Sequence, residues 1–427
     1  MTSSTQLLLV VIPVALLFLG TPIFLILLVT AVVTLFLSDT PPEVLQTVMF
    51  GSLGSFPLLA IPFFILAGEI MGRGGIARRL VEWVLTFVGG VRGSLGLATI
   101  ASSELFGAMS GSAVGTLAAV GRLVFPSLQE NGYGPRFAVS LIASSGAIAI
   151  VIPPSIAMII YGITAQVSLQ SLFTAGILPA ILIGCLDAIY VVFYARKIHV
   201  PVMTKASRGS LWASTKGAGW ALGTIVVIFG GIYGGLFTPT EAAGVAVVYA
   251  IIVTRFIYRE ITWRGLWNIA GASALLTAQI LLIVAAAGVY SWVLTTSGIP
   301  ARIVDAITAL HAGPVLTLLL MNIIFLLIGS FLEPPAAILI LVPLCLPVAK
   351  AVGVDPIHFG VIVAVNLSIG MYTPPFGLNI FAANMIFKRP ITEIYRGLLP
   401  FLVINIFALM IITYVPSISM LLLSFGR

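Results

Sequence analysis

Charge is nearly missing from this sequence. Of 427 residues, 13 are Asp or Glu and 20 are Lys or Arg, 8% together, against 60% hydrophobic residues and a mean hydropathy of +1.20. A water-soluble globular chain carries about 25% charged residues. A chain this poor in charge cannot cover its surface in water, and the bilayer is its expected solvent. In hydrocarbon every main-chain polar group needs an internal partner, which leaves helices or a closed barrel. Barrel strands alternate apolar and polar residues. That alternation is missing, and unbroken apolar runs at 6–37, 270–294 and 315–327 take its place. At about 20 apolar residues per crossing, the length fits around a dozen crossings or re-entrant pieces of an all-α polytopic membrane protein.

Other scarcities exclude further classes. The two cysteines, Cys185 and Cys345, sit in apolar segments, so they read as small core residues rather than a disulfide framework. His199, His311 and His358 share no metal-ligand spacing. An intramembrane hydrolase needs a zinc motif, paired aspartates or a serine beside its base, and none of these patterns is present. The N-terminus lacks the basic region and cleavage site of a secretory signal, so 6–37 reads as a retained membrane segment. Acid is missing from the 196–216 linker, which carries Arg196, Lys197, Lys205, Arg208 and Lys216. The positive-inside rule makes that linker cytoplasmic. Arg255, Arg259 and Arg264 form a second basic loop, and 217–254 is long enough to cross and return, so both loops fall on one side. The net charge of +7 thus sets orientation and is no nucleic-acid signal.

What the chain does have is register. Shifted by 221 positions, Pro126, Gly132, Pro135, Pro153, Pro154, Gly176 and Pro179 fall on Pro347, Gly353, Pro356, Pro374, Pro375, Gly397 and Pro400. These residues dictate backbone, so the match preserves geometry. The chain reads as two halves of one design, and lengths that fit an odd number of crossings favour inverted repeats. Internal repeats with interrupted helices point to a secondary transporter. Thr238-Pro239-Thr240-Glu241 reads as a capping box, which gives Glu241 a structural role.

"IVIPPSIAM" and "MYTPPFGLN" place adjacent prolines inside apolar runs. A proline frees carbonyls one turn earlier, and in a membrane those are tolerated only where protein, water or an ion satisfies them. Such oxygens suit a small hard cation such as sodium. Upstream of each break, "FGAMSGSAVG" and "IGSFLEPPAA" suggest re-entrant hairpins whose helix N-termini attract anions. Neither cation pocket holds a titratable side chain of the kind proton relays use.

These motifs, with "FPLLAIPFFILAGEIM", "FTPTEAAGVAVVYA" and "DPIHFGVIVAVNLSIG", resemble the large membrane subunit of a tripartite ATP-independent periplasmic (TRAP) transporter, in order and over nearly the whole chain. The resemblance implies a sodium-driven elevator of the wider ion transporter superfamily, in a bacterial inner membrane. It implies two partners, a separate small four-helix membrane subunit and a periplasmic substrate-binding protein, and an organic acid substrate such as sialic acid or a C4-dicarboxylate. The implied division is scaffold at 1–65, and then 66–196 with a hairpin near 100–122 and a broken helix near 137–163. The linker at 197–216 leads to scaffold at 217–284. The last part, 285–427, holds a hairpin near 325–346 and a broken helix near 357–385. Two or more sodium ions are implied, one at Gly107, Ala149, Ile152 and Pro154, the other at Gly329, Gly370 and Thr373. The sequence departs from many members at Ala149, where they carry Gly; a carbonyl ligand survives that change. Ser110, Ser112, Asn366 and Asn379 are the substrate-facing candidates.

Of the remaining charges, Glu69 and Arg73 stand at helical i,i+4 spacing and read as an ion pair. Glu104 would orient the first hairpin, and Asp187 would pack against another helix. Glu333 either braces the second tip or meets solvent. Arg92, Arg122 and Arg136 read as anchors of loop ends. The alternative functions are a stand-alone sodium/carboxylate symporter of the same superfamily and a passive channel.

Overall fold

The structure is a computed structural model that describes residues 9–425 apart from 10, 14, 18, 39, 203–207 and 310–312. Lys205 and His311 lie outside the described residues, among which every regular element is helical. Seven helices are long and apolar enough to cross a membrane: Phe56–Arg73, Leu169–Lys197, Gly209–Tyr233, Pro239–Ile257, Trp263–Thr296, Pro334–Ala351 and Ile391–Tyr414. Shorter apolar helices lie between them, and the chain is an all-α polytopic membrane protein.

The apolar 6–37 segment is divided by a turn. Its helical residues between 9 and 17 end in a turn, and the helix Ile23–Leu37 begins only after Pro22. Gly20 supplies a left-handed φ of +72° at that turn, a conformation that glycine adopts without steric cost. Beyond the basic linker, helices Arg208–Tyr233 and Pro239–Ile251 run out and back, as expected for two basic loops on one face. The amphipathic helix Ile76–Val88 ties both loops together. Trp83 Nε1 donates to Thr215 Oγ1 at 3.1 Å, while Arg78 and Arg79 each approach Glu260 Oε1 to 2.6 Å.

Two two-helix hairpins follow from turn chemistry. Ser94–Ser110 and Ala113–Glu130 meet at Gly111, with φ of +61°, and at Ser112, whose side chain accepts Gly115 N–H. Pro314–Gly329 and Pro334–Ala351 meet across Ser330–Glu333, each starting on a proline at a position that has no N–H to satisfy. Each hairpin is followed by a broken helix. Pro135–Ala147 tightens through the 3-10 turn Ile148–Ile150 and stops, and helix Ile156–Ala165 resumes with Ser155 capping Met158 N–H. Pro356–Gly370 stops before the second diproline and resumes as Leu378–Phe387. A shift of 221 carries the bounds of Ala113–Glu130 onto Pro334–Ala351 and the start of Pro135–Ala147 onto that of Pro356–Gly370.

The Thr238 box forms as its sequence predicts. Thr238 Oγ1 accepts Glu241 N–H at 3.3 Å, and Glu241 Oε2 accepts Thr238 N–H at 2.8 Å. Thr238→Ala should therefore destabilise the detergent-solubilised protein by about 1 kcal/mol, read as a lower unfolding midpoint. An unchanged midpoint would remove the cap from the account of this helix start.

Candidate functional site

Each hairpin tip rests on a helix break, and only missing side chains allow it. A Cβ on Gly107 would lie 2.7 Å from Ala149 Cβ and 3.3 Å from Ile152 Cγ2. A Cβ on Gly111 would lie 2.9 Å from the Pro154 carbonyl oxygen. In the second half a Cβ on Gly370 would come within 2.6 Å of Gly329 C and 2.8 Å of its carbonyl oxygen. The structure thus brings Gly107 to Ala149 and Ile152, and Gly329 to Gly370. Pro154 meets Gly111, one turn further along the same hairpin. Thr373 Oγ1 donates to Ile369 O at 2.7 Å, which leaves its lone pairs as acceptors. These are main-chain and hydroxyl oxygens without a carboxylate, a donor set that fits a small hard monovalent cation.

A cavity of about 690 Å³ opens beside these contacts. Four helix N-termini reach its wall: at Ser112–Ala113, Glu333–Pro334, Ile156–Ala157 and Leu378. Each presents the positive end of a helix dipole, so four partial positive charges converge on one space. Three arginines and three glutamates share the wall, so its formal side-chain charge balances. Arg73 pairs with Glu69 at 2.8 Å, as the i,i+4 spacing predicts, and Arg78 pairs with Glu260. Arg122 and Glu333 also line the cavity and have no ion pair among the described residues. The cavity reaches Arg78 and Glu260, on the face of the basic loops.

Of the four substrate-facing candidates, two lie on this wall. Ser110 and Ser112 line the cavity, with Ser110 Oγ 3.1 Å from Thr116 Oγ1. Asn366 and Asn379 do not line it; both are buried and bonded inside the helix packing. Asn366 Nδ2 donates to Asn322 Oδ1 at 2.8 Å, pinning the second hairpin to its broken helix. Ser145, at the corresponding place in the first half, accepts from Ser103 of the first hairpin at 3.3 Å. Asn379 Nδ2 donates to Ala143 O at 2.9 Å and joins the two broken helices.

Reading Arg122 as a loop anchor is corrected here, because it sits inside helix Ala113–Glu130 and faces the cavity. A signal for it was present in the sequence. Ser112, Gly115, Ala118, Ala119 and Arg122 repeat at helical spacing, so a stripe of small residues leads from the capped tip to the guanidinium. Arg136 does anchor an element end, donating to Arg396 O at 2.5 Å. Asp187 does make interhelical contacts, to Ser144 and Asn405.

A family model described as "Tripartite ATP-independent periplasmic transporter, DctM component" matches residues 10–418. The chain is similar to the C4-dicarboxylate TRAP transporter large permease protein DctM of Pseudomonas aeruginosa, 40% identical over 374 residues and 88% of each chain. It is similar to the ectoine TRAP transporter large permease protein TeaC of Halomonas elongata, 39% identical over 388 residues, 88% of this chain and 91% of that one. It is also similar to the isethionate TRAP transporter permease protein DctMQ of Oleidesulfovibrio alaskensis, 37% identical over 407 residues, 94% of this chain and 64% of that one. The crystal structure of the YdaH transporter of Alcanivorax borkumensis shares the fold, with a TM-score of 0.64 over 97% of this chain and 99% of that one at 16% identity.

The close approach of Gly370 to Gly329 yields a direct test. Gly370→Ala should cost about 1–3 kcal/mol through overpacking, seen as a lower melting point of the purified protein. Gly244→Ala, where a Cβ meets nothing within 4 Å, should leave the melting point unchanged or higher. Equal melting of both variants would show that the tip and the break are not in contact.

Proposed function

The chain belongs to the family of DctM components, the large permease proteins of TRAP transporters, and is a multi-pass protein of the bacterial inner membrane; from that premise we propose that it carries an organic acid anion inward on a sodium gradient. The observation that carries this reading is the convergence of four helix N-termini and Arg122 on one cavity whose wall adjoins both helix breaks. Relatives named for a C4-dicarboxylate, ectoine and isethionate have substrates that share an anionic carboxylate or sulfonate and differ elsewhere. Helix N-termini recognise such oxyanions without reading the rest of the molecule. C4-dicarboxylates, sialic acid and similar carboxylates are therefore the proposed class, with Ser110, Ser112 and Arg122 contacting the anion.

Sodium would be held at Gly107, Ala149, Ile152 and Pro154, and at Gly329, Gly370 and Thr373, through main-chain oxygens and the Thr373 hydroxyl. In each pocket the hairpin supplies one part of the cradle and the broken helix the other. Cation binding then fixes the tip on the break and completes the anion-binding wall, which couples the two solutes. In the proposed elevator cycle, hairpins and broken helices move as one body against the remaining helices. The cavity reaches the face that carries the basic loops, which supports reading this conformation as the inward-open one. The periplasmic binding protein delivers the anion on the opposite face, and the small membrane subunit enlarges the static part.

In proteoliposomes holding the full three-component transporter, replacing sodium by choline at fixed pH should abolish uptake. Persisting uptake would remove the sodium assignment, and uptake without the binding protein would favour the stand-alone symporter. Thr373→Ala should weaken apparent sodium affinity about fivefold, the scale of one net hydrogen bond, while docking of the binding protein is unaffected. Arg122→Gln should raise the KM for the anion about tenfold, the scale of one charge-assisted bond. An unchanged KM would take Arg122 out of the site.

A further inference from the structure

Two carboxylates lie inside the helix packing away from this cavity. Asp187, within Leu169–Lys197, is 0% exposed. Its Oδ2 accepts from Ser144 Oγ at 3.4 Å and from Asn405 Nδ2 at 3.5 Å, while Oδ1 is sealed from solvent without a partner. Glu104, in the first arm of the first hairpin, reaches the same helix. A Cβ on Gly184, three residues before Asp187 and on the same helix face, would sit 1.7 Å from Glu104 Oε1, and the two carboxylates interact electrostatically. Glu104 Oε1 is likewise sealed and unpartnered.

Asn405 is 1% exposed, and its Nδ2 lies within hydrogen-bond reach of Asp187, Ser144 and the Tyr372 hydroxyl, the last at 2.7 Å. Each acid still keeps one sealed oxygen without a partner. Buried carboxylates persist only when paired or neutralised. No ion pair to either acid exists among the described residues. The surrounding ionisable groups do not supply one. Tyr372 faces the cluster through Asn405, His358 is bonded to Ser419 and Thr413, and Arg136 is bonded to Arg396 O.

We infer that Glu104 and Asp187 form a site for one monovalent cation, a sodium ion or a proton, that loads and unloads during the transport cycle. The site is separate from the two break-associated pockets and rests on the reading of the chain as a cation-driven carrier. Glu104 rides on the first hairpin and Asp187 on the helix behind it, so occupancy would report hairpin position to the transported charge.

The test measures bound ²²Na⁺ per protein, and protons displaced on sodium addition in weak buffer, for wild type, Glu104→Gln and Asp187→Asn. The near-isosteric amides keep the packing, and equal melting points verify folding. Loss of one bound sodium in both variants identifies a sodium occupant. Loss of the displaced proton, with sodium binding retained, identifies a proton. Counts in both variants equal to wild type would overturn the inference and leave the acids as fixed hydrogen-bonding groups. A wild type that binds no sodium and displaces no proton would instead overturn the cation-driven reading itself.

Discussion

A main-chain carbonyl inside a bilayer has no water to turn to, and the core of this protein is arranged around that fact. Helices may stop within the membrane only where something meets the exposed end. Here each stop is met by a hairpin tip. Gly111 lies against the Pro154 carbonyl and Gly370 against Gly329, contacts that any side chain would prevent. Ser112 and Ser155 satisfy N–H groups at the restarting ends. Breaks and hairpins are therefore not separate features. Neither is tolerable without the other, and their meeting leaves polar backbone beside a cavity in an otherwise apolar molecule.

From that follows a division of chemistry by helix polarity. Helix C-terminal ends at the breaks turn oxygens inward, and the N-terminal ends turn N–H groups toward the cavity. One set favours a cation and the other an anion, a few residues apart. Much of the formal charge on the wall is paired, Glu69 with Arg73 and Glu260 with Arg78 and Arg79. Helix ends supply other polar groups of the wall.

Much of this was legible in the sequence because proline and glycine leave marks that packing does not erase. The diprolines, the Ser-Gly-Ser tip and the Pro-Pro after Glu333 located the hairpins and breaks, and the Thr238 box located a helix start. What was not legible depended on which way a side chain turns. Asn366 and Asn379 sit close in sequence to the second break, yet both point into helix packing, where an amide joins elements as readily as it binds a solute. Arg122 was misplaced for the opposite reason: a charge near a sequence turn looked interfacial until its helical stripe was traced. Within 6–37, Gly20 and Pro22 mark the turn that its apolarity alone does not show.

One bond carries a mechanical implication. Ser368 Oγ donates to Ala147 O at 2.8 Å, and these residues are 221 apart, the spacing at which the glycines and prolines recur. With the bond from Asn379 to Ala143 O, it sets the two interrupted helices back to back, each joined to the other a few residues from its own break. A displacement at one break therefore bears on the other without crossing the rest of the molecule.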